Sequence, residues 1–301
     1  MASRTGRVLS KFVMGLLVVA SSTAFAADRV TAAEKALAPT TAPTKTARVT
    51  VPGLPAVVTG APAKRPLRVL FIGNSYTFFN GGMGTLVQSL AAAVKDGRRL
   101  EYVEVTKGGQ TLEGHWAEGK ALAEIRKGGW DFVVLQEHSL RPLQDREKMY
   151  AYAERFDAEI RRVGARTVFY ETWARKNRPE MQTILDQAYG GIAKEVAAVV
   201  APAGLAWQAA LKVKPDLSLH IADLSHPTPA GSYLNACVFY ETFFGRSPEG
   251  LPRTIRDKAG KVLVDLSETD ATLLQHAAYE TCGRAATGTK KTAAAAAAVA
   301  Q

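Results

Sequence analysis

The stretch RVLFIGNSYTFFN, Arg68 to Asn80, decides the fold. Its apolar run Val69-Leu70-Phe71-Ile72 ends in Gly73-Asn74, and Ser75 follows in a polar turn before a helix-compatible segment opens near Gly82. That order predicts a buried strand delivering a serine to the end of a sheet, where open α/β folds place their reactive groups. A serine hydroxyl becomes a nucleophile only beside a base. The base must come from far along the chain, and the candidate is His226 in IADLSHPTPAGSYLNA, with Asp223 three residues before it.

Working outward, LEYVEVT (100–106) alternates like a strand and stops at Gly108-Gly109. WDFVVLQ (130–136) is a near-continuous apolar run of the kind a parallel sheet buries, and it ends at Gln136-Glu137-His138-Ser139. ARTVFYETW returns to a strand over 166–171, GLAWQ (204–208) reads as a short strand, and KVLVDL (261–266) as an edge strand. Helical spacing fills 83–95, 112–127, 145–162, 180–200 and 231–244, and a last helix runs from Ser267 and Asp270 to Cys282. Pro227 and Pro229 mark a rigid loop after His226. Strands separated by helices imply βαβ crossovers, hence a three-layer α/β/α sandwich with a mainly parallel sheet and a flavodoxin-like architecture.

The chain has 301 residues, 47% hydrophobic and 22% charged, which suits one good-sized core. Residues 1–26 are expected to be a signal peptide: Arg4, Arg7 and Lys11 precede the apolar run FVMGLLVVA, and Ala24-Phe25-Ala26 supplies small residues at a cleavage site. Export to the periplasm or beyond follows, with a retained anchor as the alternative. No later stretch approaches the roughly 20 apolar residues of a spanning helix. Residues 27–66, rich in Pro, Ala and Thr, read as a linker or wrapping arm, 67–282 as the folded domain, and 283–301 as a low-complexity tail.

These boundaries account for the formal net charge of +10, because the first two segments and the tail carry all of it and leave 67–282 neutral. The basic ends would contact an anionic envelope surface or polymer, whereas a nucleic-acid enzyme would carry its basic groups on the folded body. The two cysteines, Cys237 and Cys282, match no zinc or CxxC spacing. An exported chain permits a disulfide between them, and two buried free thiols are the other reading.

An acyl-transfer site needs more than a nucleophile and a base. Donors must face the oxygen that becomes negative in the transition state. Gly109 at the end of the second strand offers a backbone N–H, unless Gly108-Gly109 is an ordinary tight turn. Gln136 at the end of the third offers a side-chain amide, unless it is a core-edge glutamine bonded to backbone. Parallel strands end on one side, so Ser75, Gly109 and Gln136 should converge. Asn74, Glu137, His138 and Trp173 are candidates for the pocket wall, with Trp173 either a sugar-stacking platform or a packing residue. His115, His220 and His276 show no ligand spacing with carboxylates, and no metal or other cofactor is expected.

Over roughly residues 67–245 the chain resembles the SGNH, or GDSL-like, hydrolase superfamily, and within it bacterial exported members with a GNS-type first block. GNSYT stands where many relatives have GDS, GGQT is the second block and DLSHP the last. The resemblance implies a Ser75 nucleophile, an Asp223–His226 pair completing the triad, and an oxyanion hole from Ser75 and Gly109. The third block departs from the family: VVLQEHS replaces the asparagine-bearing GxND, and Gln136 is the expected substitute. GNSYT is not the GxSxG nucleophile elbow, which disfavours the usual α/β-hydrolase family.

The leading expectation is a serine esterase acting on carboxylic esters; the resemblance leaves acetyl groups on carbohydrates, lipid esters and other carboxylic esters open, and short acyl groups are favoured because no long apolar insertion walls an acyl tunnel. A weak or inactive carbohydrate-binding or envelope-associated domain is the alternative, resting on the altered third block. A metal-dependent phosphoesterase is the third, and it predicts loss of activity on chelation.

Overall fold

In the computed structural model of the chain, residues 65–95 and 97–299 are described, with side chains through residue 283. The expected signal peptide and all but the last two residues of the linker lie outside the described residues.

Five strands form one wholly parallel sheet: β1 (Leu67–Gly73), β2 (Leu100–Thr106), β3 (Phe132–Leu135), β4 (Arg166–Glu171) and β5 (Val199–Pro202), in spatial order β2-β1-β3-β4-β5. Successive strand residues point to opposite faces. Leu67, Val69 and Phe71 of β1 accordingly enter one apolar core, and Leu70 and Ile72 enter the other. Both faces are buried, which is why β1 reads as a continuous hydrophobic run rather than an alternating one.

The helices are α1 (Ser75–Phe78), α2 (Met83–Ala92), α3 (Leu112–Glu118), α4 (Lys120–Arg126), α5 (Arg141–Gln144), α6 (Arg146–Arg162), α7 (Met181–Glu195), α8 (Ala203–Val213), α9 (Pro229–Phe244) and α10 (Glu268–Val299). One core holds buried residues of α2, α8, α9 and α10, and the other holds those of α3, α4, α6 and α7. This is the expected three-layer sandwich. No helix of the described residues is long and apolar enough to cross a membrane.

Several details differ from the sequence reading, and the last helix runs on past Cys282 to Val299. The expected 112–127 helix is two helices, because Gly119 takes φ of 75° and caps α3 through its N–H to the carbonyls of His115 and Trp116. The fifth strand is Val199–Pro202, and GLAWQ lies in α8 instead. Pro202 ends that strand, since it lacks the N–H to continue pairing, while the following Ala-rich stretch favours helix. KVLVDL does not border the main sheet: Val262–Asp265 (β7) pairs antiparallel with Thr254–Arg256 (β6) as a separate two-stranded sheet. Pro229 opens α9 at its first position, where a missing N–H costs nothing, and Thr228 caps it by accepting from Gly231 N.

The expected Cys237–Cys282 disulfide is not formed, and both thiols are free. Cys282 Sγ instead lies 3.9 Å from the carbonyl oxygen of Val238. Burial pushes both thiols well above their usual range.

Candidate active site

The chain leaves β1 toward β2 on one side and later returns to add β3 on the other, so the sheet order reverses at β1. Such a switch point opens a crevice at the carboxyl ends of the strands. Ser75 stands there, one residue beyond Asn74, which caps α1 by accepting from Tyr76 N at 3.1 Å. Asn74 also donates through Nδ2 to Gln110 O at 2.9 Å, and the ladder extends by Lys107 N to Gly73 O at 3.2 Å. These bonds set the Gly108-Gly109 loop beside the serine turn. His115, buried in α3, adds a third tie through Nε2 to Gly73 O at 2.8 Å.

The Ser75 hydroxyl lies 2.8 Å from His226 Nε2, and His226 Nδ1 lies 2.5 Å from Asp223 Oδ2. With Asp223 ionised, Nδ1 carries the ring proton and Nε2 is left to accept from the serine. Asp223 Oδ1 further accepts the backbone N–H groups of Ser225 and His226, each at 2.9 Å. Burial opposes ionisation of Asp223, but the hydrogen bonds from the His226 ring and these two N–H groups outweigh it and hold the carboxyl at about 2. It stays charged throughout the neutral range.

The loop that delivers His226 is closed on itself. Ile221 N donates to His226 O at 2.9 Å, Thr228 N to Leu219 O at 2.8 Å, and Asn80 Nδ2 to Pro227 O at 3.0 Å. Leu224 takes a positive φ of 62°, a strained conformation for a non-glycine residue, at the tip between Asp223 and Ser225. The imidazole is stacked on Phe79 at 4.8 Å and meets the Tyr76 ring edge-on at 5.3 Å. Tyr76 also bonds Ser225 Oγ through its hydroxyl at 2.6 Å, fastening the serine turn to the histidine loop.

No family model matches the chain, and no curated protein matches it either. Solved structures do. A candidate SGNH hydrolase from Slackia heliotrinireducens is 25% identical with a TM-score of 0.51, covering 59% of this chain and 99% of its own. The chain is similar in fold to SGNH hydrolases. A DUF4886 family protein from Bacteroides uniformis is 17% identical with a TM-score of 0.55, covering 71% of this chain and 94% of its own. A variant of a Geobacillus acetyl-xylooligosaccharide esterase is 19% identical with a TM-score of 0.50, covering 62% of this chain and 98% of its own. At these identities the last two share the fold alone.

Within this SGNH-like frame the structure places the remaining candidates. Gly109 is exposed in a turn with φ of 66°, and neither its N–H nor that of Ser75 has an acceptor among the described residues. Gln136 is positioned otherwise than expected. It is fully buried, its Oε1 accepts from Asn74 N at 2.8 Å and Thr77 Oγ1 at 3.0 Å, and its Nε2 donates to Glu137 O at 2.5 Å. The amide faces the underside of the serine turn, so Gln136 positions that turn and does not meet an ester oxygen.

Glu137 is likewise inside, accepting from His138 N at 2.6 Å and Leu112 N at 3.3 Å, and burial raises it to about 7 against those two bonds. Trp173 is no sugar platform: it is 1% exposed, stacked between Tyr76 at 4.4 Å and Trp207 at 4.3 Å, with Nε1 donating to Ser225 O. His138 remains half-buried at the end of β3. Sequence reasoning missed Tyr76, Phe79, Asn80 and His115, whose partners lie up to 150 residues or so away and leave no local signal. Among the described residues, no group of three or more His, Cys, Asp or Glu side chains gathers to hold a metal ion.

Proposed function

We propose that this protein is a serine esterase that cleaves carboxylic esters through an acyl-enzyme on Ser75. The observation that carries the reading is the unbroken chain Ser75 Oγ, His226 Nε2, His226 Nδ1, Asp223 Oδ2, with links of 2.8 and 2.5 Å. Its hydrogen-bonding order is that of a nucleophile, a base and the group that orients the base.

As Ser75 Oγ bonds to the ester carbonyl carbon, His226 Nε2 takes the hydroxyl proton. The carbonyl oxygen becomes an oxyanion, which the uncommitted N–H groups of Ser75 and Gly109 are suited to receive. Collapse of the tetrahedral species breaks the bond to the alcohol oxygen, and His226 returns the proton to that oxygen. Water then attacks the acyl-enzyme with His226 as base, releasing the acid and restoring the serine. Asp223 remains ionised and stabilises the imidazolium in both halves.

The similarity in fold to SGNH hydrolases supports esterase-type chemistry, and the half-exposed Ser75 suits short acyl groups on a bulky alcohol such as a carbohydrate. Export, expected from residues 1–26, would put that alcohol in the envelope. The full chain is expected to hydrolyse p-nitrophenyl acetate, with Ser75→Ala and His226→Ala each lowering kcat by about 1000-fold or more. Activity lost to a chelator but retained in Ser75→Ala would overturn this mechanism.

A further inference from the structure

Arg175 has no place in the chemistry above, yet the fold holds it at the site. Its neighbours are pinned on both sides: Ala174 N donates to Gln182 Oε1 at 2.8 Å, Ala174 O accepts from His220 Nε2 at 2.9 Å, and Lys176 N donates to Leu224 O at 2.9 Å. The last bond joins this segment to the tip of the loop bearing Asp223 and His226. Trp173, just before it, lies against the Tyr76 ring that backs the catalytic imidazole.

The arginine itself is half-buried, and no carboxylate within 4 Å pairs with it among the described residues. Its Nε is buried without a hydrogen-bond partner. A buried guanidinium N–H without an acceptor is costly, and the charge it belongs to lacks a carboxylate partner that a ligand could supply. Asp223 is not that acceptor: its oxygens accept from the His226 ring and from the Ser225 and His226 N–H groups, and it forms no ion pair with Arg175. Two titratable neighbours register the Arg175 charge. Burial lowers the pKa of His138, and the Arg175 and Arg141 charges lower it further. Burial raises that of Tyr76, opposed by its bonds to serine hydroxyls and by the Arg175 charge.

Topology says which part of a substrate would meet it. Gly109 follows β2 and Arg175 follows β4, on opposite sides of β1 and Ser75 in the order β2-β1-β3-β4-β5. The oxyanion donor is therefore on one flank. Arg175 is on the other, one residue before the Lys176 N–H that bonds Leu224 O in the loop whose histidine would protonate the departing alcohol. We propose that Arg175 forms an anion subsite for the alcohol portion, so that preferred substrates are esters whose alcohol carries a carboxylate, such as an acylated acidic sugar. This rests on the esterase reading. The planar guanidinium can grip such a carboxylate through two parallel N–H bonds, which a lysine cannot reproduce.

The test compares 4-acetoxybenzoate with its methyl ester, two acetate esters differing in one negative charge on the alcohol side. For the full-length wild type, kcat/KM should favour the charged ester by about tenfold or more, the yield of a charged hydrogen bond. Raising the salt concentration should shrink that ratio. Arg175→Gln should bring the ratio near unity, and Arg175→Lys should retain part of it. Independently of any variant, 4-hydroxybenzoate should inhibit the wild type competitively where methyl 4-hydroxybenzoate does not. A wild-type ratio near unity, or an Arg175→Gln ratio equal to that of the wild type, overturns the subsite. Hydrolysis of both esters undiminished in Ser75→Ala would instead overturn the esterase reading beneath it.

Discussion

Gln136 supports two groups with one oxygen, the Asn74 N–H and the Thr77 hydroxyl, directly beneath Ser75. Its removal would leave both buried and unpaired, at roughly 1–3 kcal/mol for each such group. Gln136→Ala should therefore lower Tm as well as kcat, as measured by thermal melting beside p-nitrophenyl acetate kinetics. An oxyanion donor facing substrate would behave differently, losing kcat with Tm unmoved. Gly73 is constrained from the same side, since a Cβ there would fall 2.6 Å from Gln136 Oε1 and collide with the Thr77 hydroxyl. The hydrogen-bonded approach of Ser75, Asp223 and His226 was legible in the sequence because each sits in a local pattern, a strand end or a DxxH loop before proline. Gln136 was misread for a physical reason. Strand-end position fixes which side of the sheet a residue ends on, but the direction of its side chain depends on a partner 62 residues away.

Between elements, the loop bearing Asp223 and His226 is set by how α9 begins. Thr228 caps the helix and also ties Leu219 and Ser218 through its backbone and hydroxyl, so the chain from 219 to 231 folds back on itself around His226. Gly231 sits where this loop crosses the helix: an added Cβ would lie 2.6 Å from Leu219 O and 2.6 Å from Trp207 Cζ2. Backbone cannot yield as a flexible side chain can. Gly231→Ala should lower Tm and shift His226, with loss of stability on the order of 1–3 kcal/mol and a fall in kcat, whereas Ala230→Gly should leave the loop in place. Thermal melts of both variants check this, and an unchanged Tm in Gly231→Ala would contradict it. The same scale explains the misplaced fifth strand. VVAPAGLAWQAALKV is apolar nearly throughout, so period alone does not separate a strand from a buried helix, and only Pro202 marks the change. The β6–β7 pairing was hidden because KVLVDL alternates as any edge strand would, and its partner has only three residues.

For the whole molecule, the sheet buries charge-bearing groups whose protonation links stability to pH. Burial, reinforced by the Asp186 charge and opposed by bonds from Leu205 and Gln182, raises Glu171 to about 8. Burial likewise raises Glu104 to about 7 against its bond from Gly84 N. A carboxyl with a raised folded pKa keeps its proton in the native state after the unfolded chain has lost it, so stability falls as pH rises from about 4.5 toward these values. Tm should decline between about pH 5 and 8, and Glu171→Gln should flatten that decline. Parallel Tm curves for wild type and variant would refute the assignment. The three-layer architecture itself was legible throughout, since uninterrupted apolar strands spaced by amphipathic helices have few other ways to bury both sheet faces. That architecture matters for function because it brings residues 75, 109 and 226 to one edge, and the decisive measurement is whether the serine there is activated. Intact-mass analysis of the full chain after treatment with a fluorophosphonate should show one adduct on Ser75, absent from Ser75→Ala and from His226→Ala. A folded wild type that neither takes up the label nor hydrolyses a broad panel of esters would contradict the account.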